Sequence, residues 1–477
     1  MKLLSVNLNT DTYHVSTGVD NGNNTFSIII GKNGTGKSRL LEKITSTLLD
    51  VNSYSQNHRE LKYGRTQELT FINQEKKISV ISKKGRGRRI FERNKVTREN
   101  MCSNVIAASI SPFDKFPLPD RDINTRATRE FYNYIGFKTN NSSLSDKNLL
   151  TRFATSIIGS HNNSAVRRTL KILGYESDIT INFQHNYERY FNNTLNKRQF
   201  YRDMTFNEIV MNNKELYSRV LADDNYLMSQ LILRELSNKQ DARISNKTIT
   251  DLIGRKELPQ SFSTKNKIND DVASSLIRSL ELNISSVSSI RLRKKNSTDR
   301  LRLEDASSGE RSLLLLVCSI ASLIKDNCLI LIDEPEISLH PEWQETFIDL
   351  IYNAFSNYEK CHFIIATHSP LIISNLPKEN CFILNMDSNE TLSSIDYHNR
   401  SADYQLARLF NTPGFQNEYL NRLCVSILSD FSKGTEINND MRKNITFLLS
   451  IYDSLDDKDH VKSLIKIIDK TWELVCR

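Results

Sequence analysis

One stretch constrains this chain more than any other: FSIII, Phe26 to Ile30, running directly into GKNGTGKS, Gly31 to Ser38, and then RLLEKITSTLL. An apolar run of five predicts a buried strand, and the leucine spacing that follows predicts a helix. Strand, glycine loop and helix in that order give the G-x-x-x-x-G-K-S pattern a mechanism. Gly31, Gly34 and Gly36 let backbone N–H groups of Lys32, Asn33, Thr35 and their neighbours turn inward around phosphate oxygens, at the positive end of a helix. Lys37 is placed to reach the β- and γ-phosphates, and the Ser38 hydroxyl to ligate Mg²⁺. The ligand this predicts is ATP with Mg²⁺. A tight glycine turn is the bland alternative, and the flanking strand and helix argue against it.

Two later strands fit the same sheet. CLILI, Cys328 to Ile332, ends in Asp333-Glu334-Pro335-Glu336. Carboxylates at the C-terminal end of a buried parallel strand face the crevice where open α/β sheets bind ligands. Asp333 fits as the Mg²⁺ partner and Glu334 as the general base for the attacking water. CHFIIAT, Cys361 to Thr367, delivers His368, a candidate γ-phosphate sensor. Ser369-Pro370 then reads as a helix start, serine at the cap and proline in the first turn. DASSGERSLLLL, Asp305 to Leu316, reads as another helix start, capped by Ser307 or Ser308 with Glu310 in its first turn.

Composition narrows the class. With 477 residues, 38% hydrophobic and 25% charged, the chain predicts two to three domains with a large core. No run approaches the roughly 18 apolar residues of a membrane helix, and the N-terminus has no secretory pattern, so a cytoplasmic setting is expected. Seven cysteines form no C-x-x-C pair and predict buried free thiols. The net charge of +8 permits nucleic-acid contact without demanding it. Basic residues cluster in Lys83–Lys95, a candidate DNA contact, and again in Arg291–Arg302.

GKNGTGKS, SSGER, LILIDEPEISLHP and IIATHSP, in that order, resemble the ABC-type ATPase heads related to the RecF and SMC proteins. E-P-E-x-x-L-H-P (Glu334 to Pro341), VIAASISPFDKF (Val105 to Phe116) and FNTPGFQNEYL (Phe410 to Leu420) are similar to the PtuA-like ATPases of Septu and retron-Septu anti-phage defence. The resemblance implies that Ser307, Ser308, Gly309 and Glu310 are a signature motif at a helix tip. Its hydroxyl and close backbone would meet phosphate only when a second copy docks head-to-tail. It also implies a small H-N-H nuclease partner, PtuB-like, held by the C-terminal helices. The family's first signature glycine is Ser308 here. No Q-loop glutamine is placed: Gln74 reads as a hairpin residue, and Ser109 to Asp114 contains none.

The expected architecture is α/β, an ABC-type P-loop ATPase head split by a mostly helical insert. Residues 1–118 form the first lobe, 119–285 the insert, 286–400 the second lobe and 401–477 a C-terminal helical region. No apolar heptad persists for three repeats, which excludes a long SMC-type arm. The insert and E-P-E-x-x-L-H-P disfavour a transporter motor. A nuclease in cis would need alternating strands with separated acidic sites, and 401–477 reads as four helices. Two functions remain: an ATPase controlling a nuclease supplied in trans, and a DNA-clamping repair ATPase without one.

Overall fold

The computed structural model describes residues 1–8, 11–18, 22–57, 67–73, 76–83, 89–92, 101–111, 113–118, 131–136, 164–185, 259–264, 268–281, 285–295, 300–321, 323–434 and 437–475, with short pieces between 150 and 159. Among them the central sheet has the order β16 (Glu390–Ser393), β15 (Cys381–Asn385), β3 (Thr25–Ile30), β14 (His362–Ala366), β13 (Leu329–Asp333), β7 (Val105–Ser109), β8 (Tyr132–Gly136). All neighbours are parallel except β16, which returns antiparallel to β15.

The strands read as continuous apolar runs because both faces are covered. Along β13, Ile330 and Ile332 enter one core cluster and Leu329 and Leu331 the other. One face packs on α4 (Ser308–Ala321) and α5 (Pro341–Ala354), which contribute Leu313, Val317, Phe347 and Ile351. The other carries α1 (Lys37–Asn57), through Leu40, Leu41, Ile44 and Leu48.

An antiparallel sheet, β2 (Asp11–His14), β1 (Lys2–Leu8), β4 (Gln67–Asn73), β5 (Lys76–Lys83), β6 (Arg89–Glu92), closes the face with α1. A second runs β10 (Ser261–Ser263), β9 (Tyr175–His185), β11 (Ser285–Lys294), β12 (Arg300–Arg302). Ile290, Leu292 and Leu303 are buried as their alternation predicts.

The span assigned to the insert does not begin and end where the lobes stop. β8 is an edge strand of the central sheet, and β9 is the main partner of β11. Both flanks therefore belong to the sheets of the two lobes, together with α2 (Ser164–Ile172) and α3 (Asp270–Glu281), which pack into the same core. The physical reason is that β11 alternates, with one apolar face that requires a long partner, and β9 supplies Ile179, Ile181 and Phe183 to the same core. Residues 186–258 lie outside the described residues. So do residues 84–88 and 93–95 of the basic segment Lys83–Lys95, of which only Lys83 in β5 and Arg89–Glu92 in β6 are described, and so does Gln74.

Four helices close the chain: α6 (Ala402–Arg408), α7 (Glu418–Ser432), α8 (Asn439–Ile451) and α9 (His460–Val475). The apolar positions here look too many for four helices to bury alone. The structure corrects that: Ile451, Ile465 and Ile468 are buried in a core of their own, with Leu449, Leu464 and Trp472 packed against it. Ile467 and Leu474 remain exposed. Among the described residues no helix is long and apolar enough to cross a membrane.

Candidate nucleotide site

The site forms where β3, β13 and β14 end. Gly31, Gly34 and Gly36 have φ of 155°, 87° and 100°, a region that side chains disfavour. A Cβ on Gly31 would also sit 2.9 Å from Thr35 Oγ1. The loop is thus glycine by necessity and folds over Lys37, whose Nζ donates to Gly31 O at 2.7 Å and to Lys32 O at 3.2 Å. Burial lowers the Lys37 pKa, and the carboxylates of Glu334, Asp387, Glu336 and Asp333 pull it back up.

Ser38 Oγ donates to Asp333 Oδ1 at 3.1 Å, which joins the loop to β13. Asp333 is buried, and its pKa is raised to about 7 by burial, assisted by Glu334, Asp114 and Glu336. A buried carboxylate beside other carboxylates is held up by desolvation and by like charge. The Ser38 and Asp333 oxygens therefore suit a hard divalent ion whose shell is completed by phosphate and water.

Glu334 occupies the left-handed region at φ 49° while its N–H donates to Ala366 O at 2.9 Å. Non-glycine residues there are strained, and such strain gathers at functional sites. His368 Nδ1 lies 3.1 Å from Lys37 Nζ. An ammonium can only donate, so Nδ1 accepts and Nε2 carries the proton, 3.6 Å from Glu334 Oε1. Burial, then the charge of Lys37, lowers the His368 pKa. A neutral Nε2–H imidazole is the form at pH 7.

Lys37, Ser38, Asp333, Glu334 and His368 thus converge within one chain. The signature residues form a separate tip. Ser307 caps α4, accepting from Glu310 N–H at 3.2 Å, and Ser307 and Ser308 are exposed. Glu310 accepts from Tyr175 OH at 3.2 Å and faces Lys294 at 4.0 Å. Gly309 is buried, and a Cβ there would meet Ser338 O at 2.9 Å, so its own chain already requires the glycine.

One expectation changes, and one residue is added. Ser369-Pro370 begins a set of turns, with no helix. Ser369 Oγ does accept from Leu371 N–H, but Ser374 Oγ donates to Leu371 O and Pro377 follows, so no helical ladder propagates. Sequence reasoning also missed Asp387, whose carboxylate accepts the Lys32 N–H at 3.0 Å from the end of β15. An acid just past a fifth apolar strand, CFILN, was the available signal.

This geometry defines a P-loop nucleotide-binding α/β protein. Residues 26–374, well over half of the chain, match the family described as "AAA domain, putative AbiEii toxin, Type IV TA system", and the chain belongs to that family. It is 32% identical over 102 residues to "Retron Vc95 probable ATPase" of Vibrio cholerae serotype O1 biovar El Tor, covering 19% of each chain. It is 33% identical over 89 residues to "Retron Ec83 probable ATPase" of Escherichia coli, covering 16% of each. "Septu protein PtuA" of Bacillus mycoides (strain KBAB4) is 33% identical over 82 residues, 16% of this chain and 11% of its own. The alignments span less than a fifth of these relatives' lengths. Among solved structures, the "SMC head domain from Thermotoga maritima" aligns over 82% of this chain and 97% of its own at 13% identity, with a TM-score of 0.32, too low to argue from.

Proposed function

We propose that this chain binds ATP with Mg²⁺ and hydrolyses the γ-phosphate in a head-to-tail dimer, as the ATPase subunit of an anti-phage defence complex. The observation that carries the reading is the convergence of Lys37, Ser38, Asp333, Glu334 and His368 at the ends of three parallel strands. Ser38 and Asp333 would hold Mg²⁺, which supplies charge neutralisation at the phosphates when bound. Lys37 meets the β- and γ-phosphates. Glu334 orients and deprotonates water, and His368 presents its Nε2–H toward the transferred group. Ser307, Ser308 and Gly309 of a second copy would close over the nucleotide. Glu334→Gln is expected to keep ATP affinity and slow hydrolysis by at least about 10²-fold, the scale of a lost general base. Near-normal turnover would remove Glu334 from that role.

Control of a nuclease in trans is what the resemblance to Septu ATPases implies, and the C-terminal helical unit with a core of its own offers it a surface. Val425 on α7 and Ile467 and Leu474 on α9 are exposed large apolar residues. They are the surface we assign to an H-N-H nuclease subunit. Replacing all three with Glu should abolish co-purification with the neighbouring gene product while ATP binding persists. Retained co-purification would move the docking site elsewhere.

A DNA-clamping role without a nuclease is favoured by one observation. Arg291 and Arg302 are exposed and lie directly opposite each other on β11 and β12. Like charges so placed destabilise a sheet and suit phosphate backbone. Arg291→Glu with Arg302→Glu should weaken DNA binding and flatten its salt slope.

A further inference from the structure

We propose that Glu336 is a positioning residue for His368, and that the loop carrying it ties the signature tip at Gly309 to that histidine within one chain. The inference rests on the reading of His368 as the γ-phosphate contact. Glu336 lies outside the groups assigned above to ATP, Mg²⁺ or water.

Its Oε1 accepts the backbone N–H of His368 at 2.6 Å, the short distance of a charge-assisted bond. The other oxygen, Oε2, is buried without a hydrogen-bond partner. Burying a carboxylate oxygen without a well-formed hydrogen bond is costly. Burial pushes its pKa up, while the His368 N–H, its own N–H and the Thr367 hydroxyl pull it back down. The arrangement is explained if the short bond to the His368 peptide is needed, because that peptide determines where the imidazole stands.

The same loop has further ties. Gln344 Nε2 donates to Leu339 O at 3.0 Å, while the Ser369 hydroxyl bonds Gln344 Oε1 at 2.6 Å. Gln344 thus grips the loop with one end of its amide and the residue after His368 with the other. Ser338, at φ 69°, presents its carbonyl to Gly309 so closely that no side chain fits between. A chain of contacts therefore runs from Gly309 through Ser338 and Leu339 to Gln344, Ser369 and His368, with Glu336 holding the final peptide. A second copy pressing on the signature tip would bear on the histidine of the head it docks against, in addition to meeting nucleotide across the interface.

The test is a double-mutant cycle on the full-length protein, with ATP hydrolysis and affinity for a fluorescent ATP analogue measured separately. Glu336→Ala should lower kcat by about tenfold or more and leave analogue affinity within about twofold. Glu336→Gln keeps an acceptor for the His368 N–H and should stay within about threefold of wild type. In a His368→Ala background, Glu336→Ala should cost less than about twofold, because a residue acting through another loses its effect with it. Equal losses in both backgrounds, or an unchanged Glu336→Ala, would overturn the proposal. Amide hydrogen exchange at His368 needs no turnover: exchange should be at least about tenfold faster in Glu336→Ala than in Glu336→Gln. Equal exchange in the two variants would overturn the clasp. Wild-type protein that exchanges slowly at His368 but hydrolyses no ATP would defeat the hydrolase reading while leaving the clasp standing.

Discussion

The phosphate loop and the signature tip use the same device, glycine at a helix N-terminus, yet they differ in how much of their chemistry is answered inside the chain. Lys37 is buried and bonded to two loop carbonyls, Ser38 is bonded to Asp333, and His368 accepts from Lys37. The tip keeps Ser307 and Ser308 exposed, and its cap is its own. Gly34 and Gly36 are required by φ, with open space around them, whereas Gly309 is required by a backbone pressed against it. A half-site wired internally can bind alone. A tip that is only braced from behind leaves its front open to a second surface, as the proposed dimer requires. That contrast is the physical argument for a composite site.

The sharpest way to break the comparison is Lys37→Ala. Removing the buried ammonium leaves Gly31 O without that donor, Lys32 O with Thr35 alone, and the triphosphate without its cation. Nucleotide affinity should fall by at least about 10²-fold, on the order of a lost charge-assisted contact, measured by titration with a fluorescent ATP analogue. Retained affinity would mean that the loop is no phosphate cradle.

Next in size is Ser307→Arg. Bulk and charge at the exposed tip should leave binding by the single head intact and stop hydrolysis. Mixing this variant with Lys37→Ala pairs one sound loop with one sound tip, so each mixed dimer should regain about half of wild-type activity, about a quarter over all dimers under random pairing. No recovery on mixing, with both proteins folded, would dissolve the contrast between the halves.

The loop half was legible because its residues are contiguous and each strand end carries its own chemistry: K-S after FSIII, D-E after CLILI, H after CHFIIAT. The signature tip was legible as a cap, and Ser307 fulfils it. What could not be read were contacts between distant segments. Asp387 on Lys32, Glu336 on His368 and Ser338 against Gly309 depend on strand order, which parallel crossovers do not reveal locally. The insert boundaries failed for the same reason, since nothing within YNYIG shows that Tyr132 lies beside Val105. Gly309 was legible for one reason, phosphate approach, and the fold supplies another.

Gly309→Ala separates those two reasons at smaller scale. The added Cβ would lie 2.9 Å from Ser338 O, a backbone atom, so the loop from Glu334 to His340 must shift. Overpacking of this kind costs about 1–3 kcal/mol, visible as a lower Tm without any nucleotide. If the glycine served only a phosphate from a second copy, Tm would stay at the wild-type value and dimer-dependent hydrolysis alone would fall.

The smallest effect belongs to His362, at the opposite end of β14 from His368, and it separates changes in the sheet from changes in either half-site. Its ring is fully buried. Leu3 N–H donates to Nδ1 at 3.0 Å, so Nε2 carries the proton toward Ser27 Oγ at 2.8 Å, and the Ser27 hydroxyl passes its own to Val15 O at 2.7 Å. Protonating Nδ1 would set a donor against a donor. Burial first, then the charges of the amino terminus and Lys2, holds the His362 pKa well below the ordinary 6.5. Below pH 6.5 the unfolded chain therefore takes up a proton that the folded ring refuses, and stability falls as pH falls through that range. The slope from one such group approaches about 1.4 kcal/mol per pH unit. His362→Gln can accept from Leu3 and donate to Ser27 without titrating. Denaturant melts at pH 7.5 and pH 5 should show wild type losing about 1–2 kcal/mol more than this variant, with nucleotide affinity at pH 7.5 alike in both. Parallel losses would mean that the ring protonates in place, and a shift in affinity would mean that the two ends of β14 are coupled.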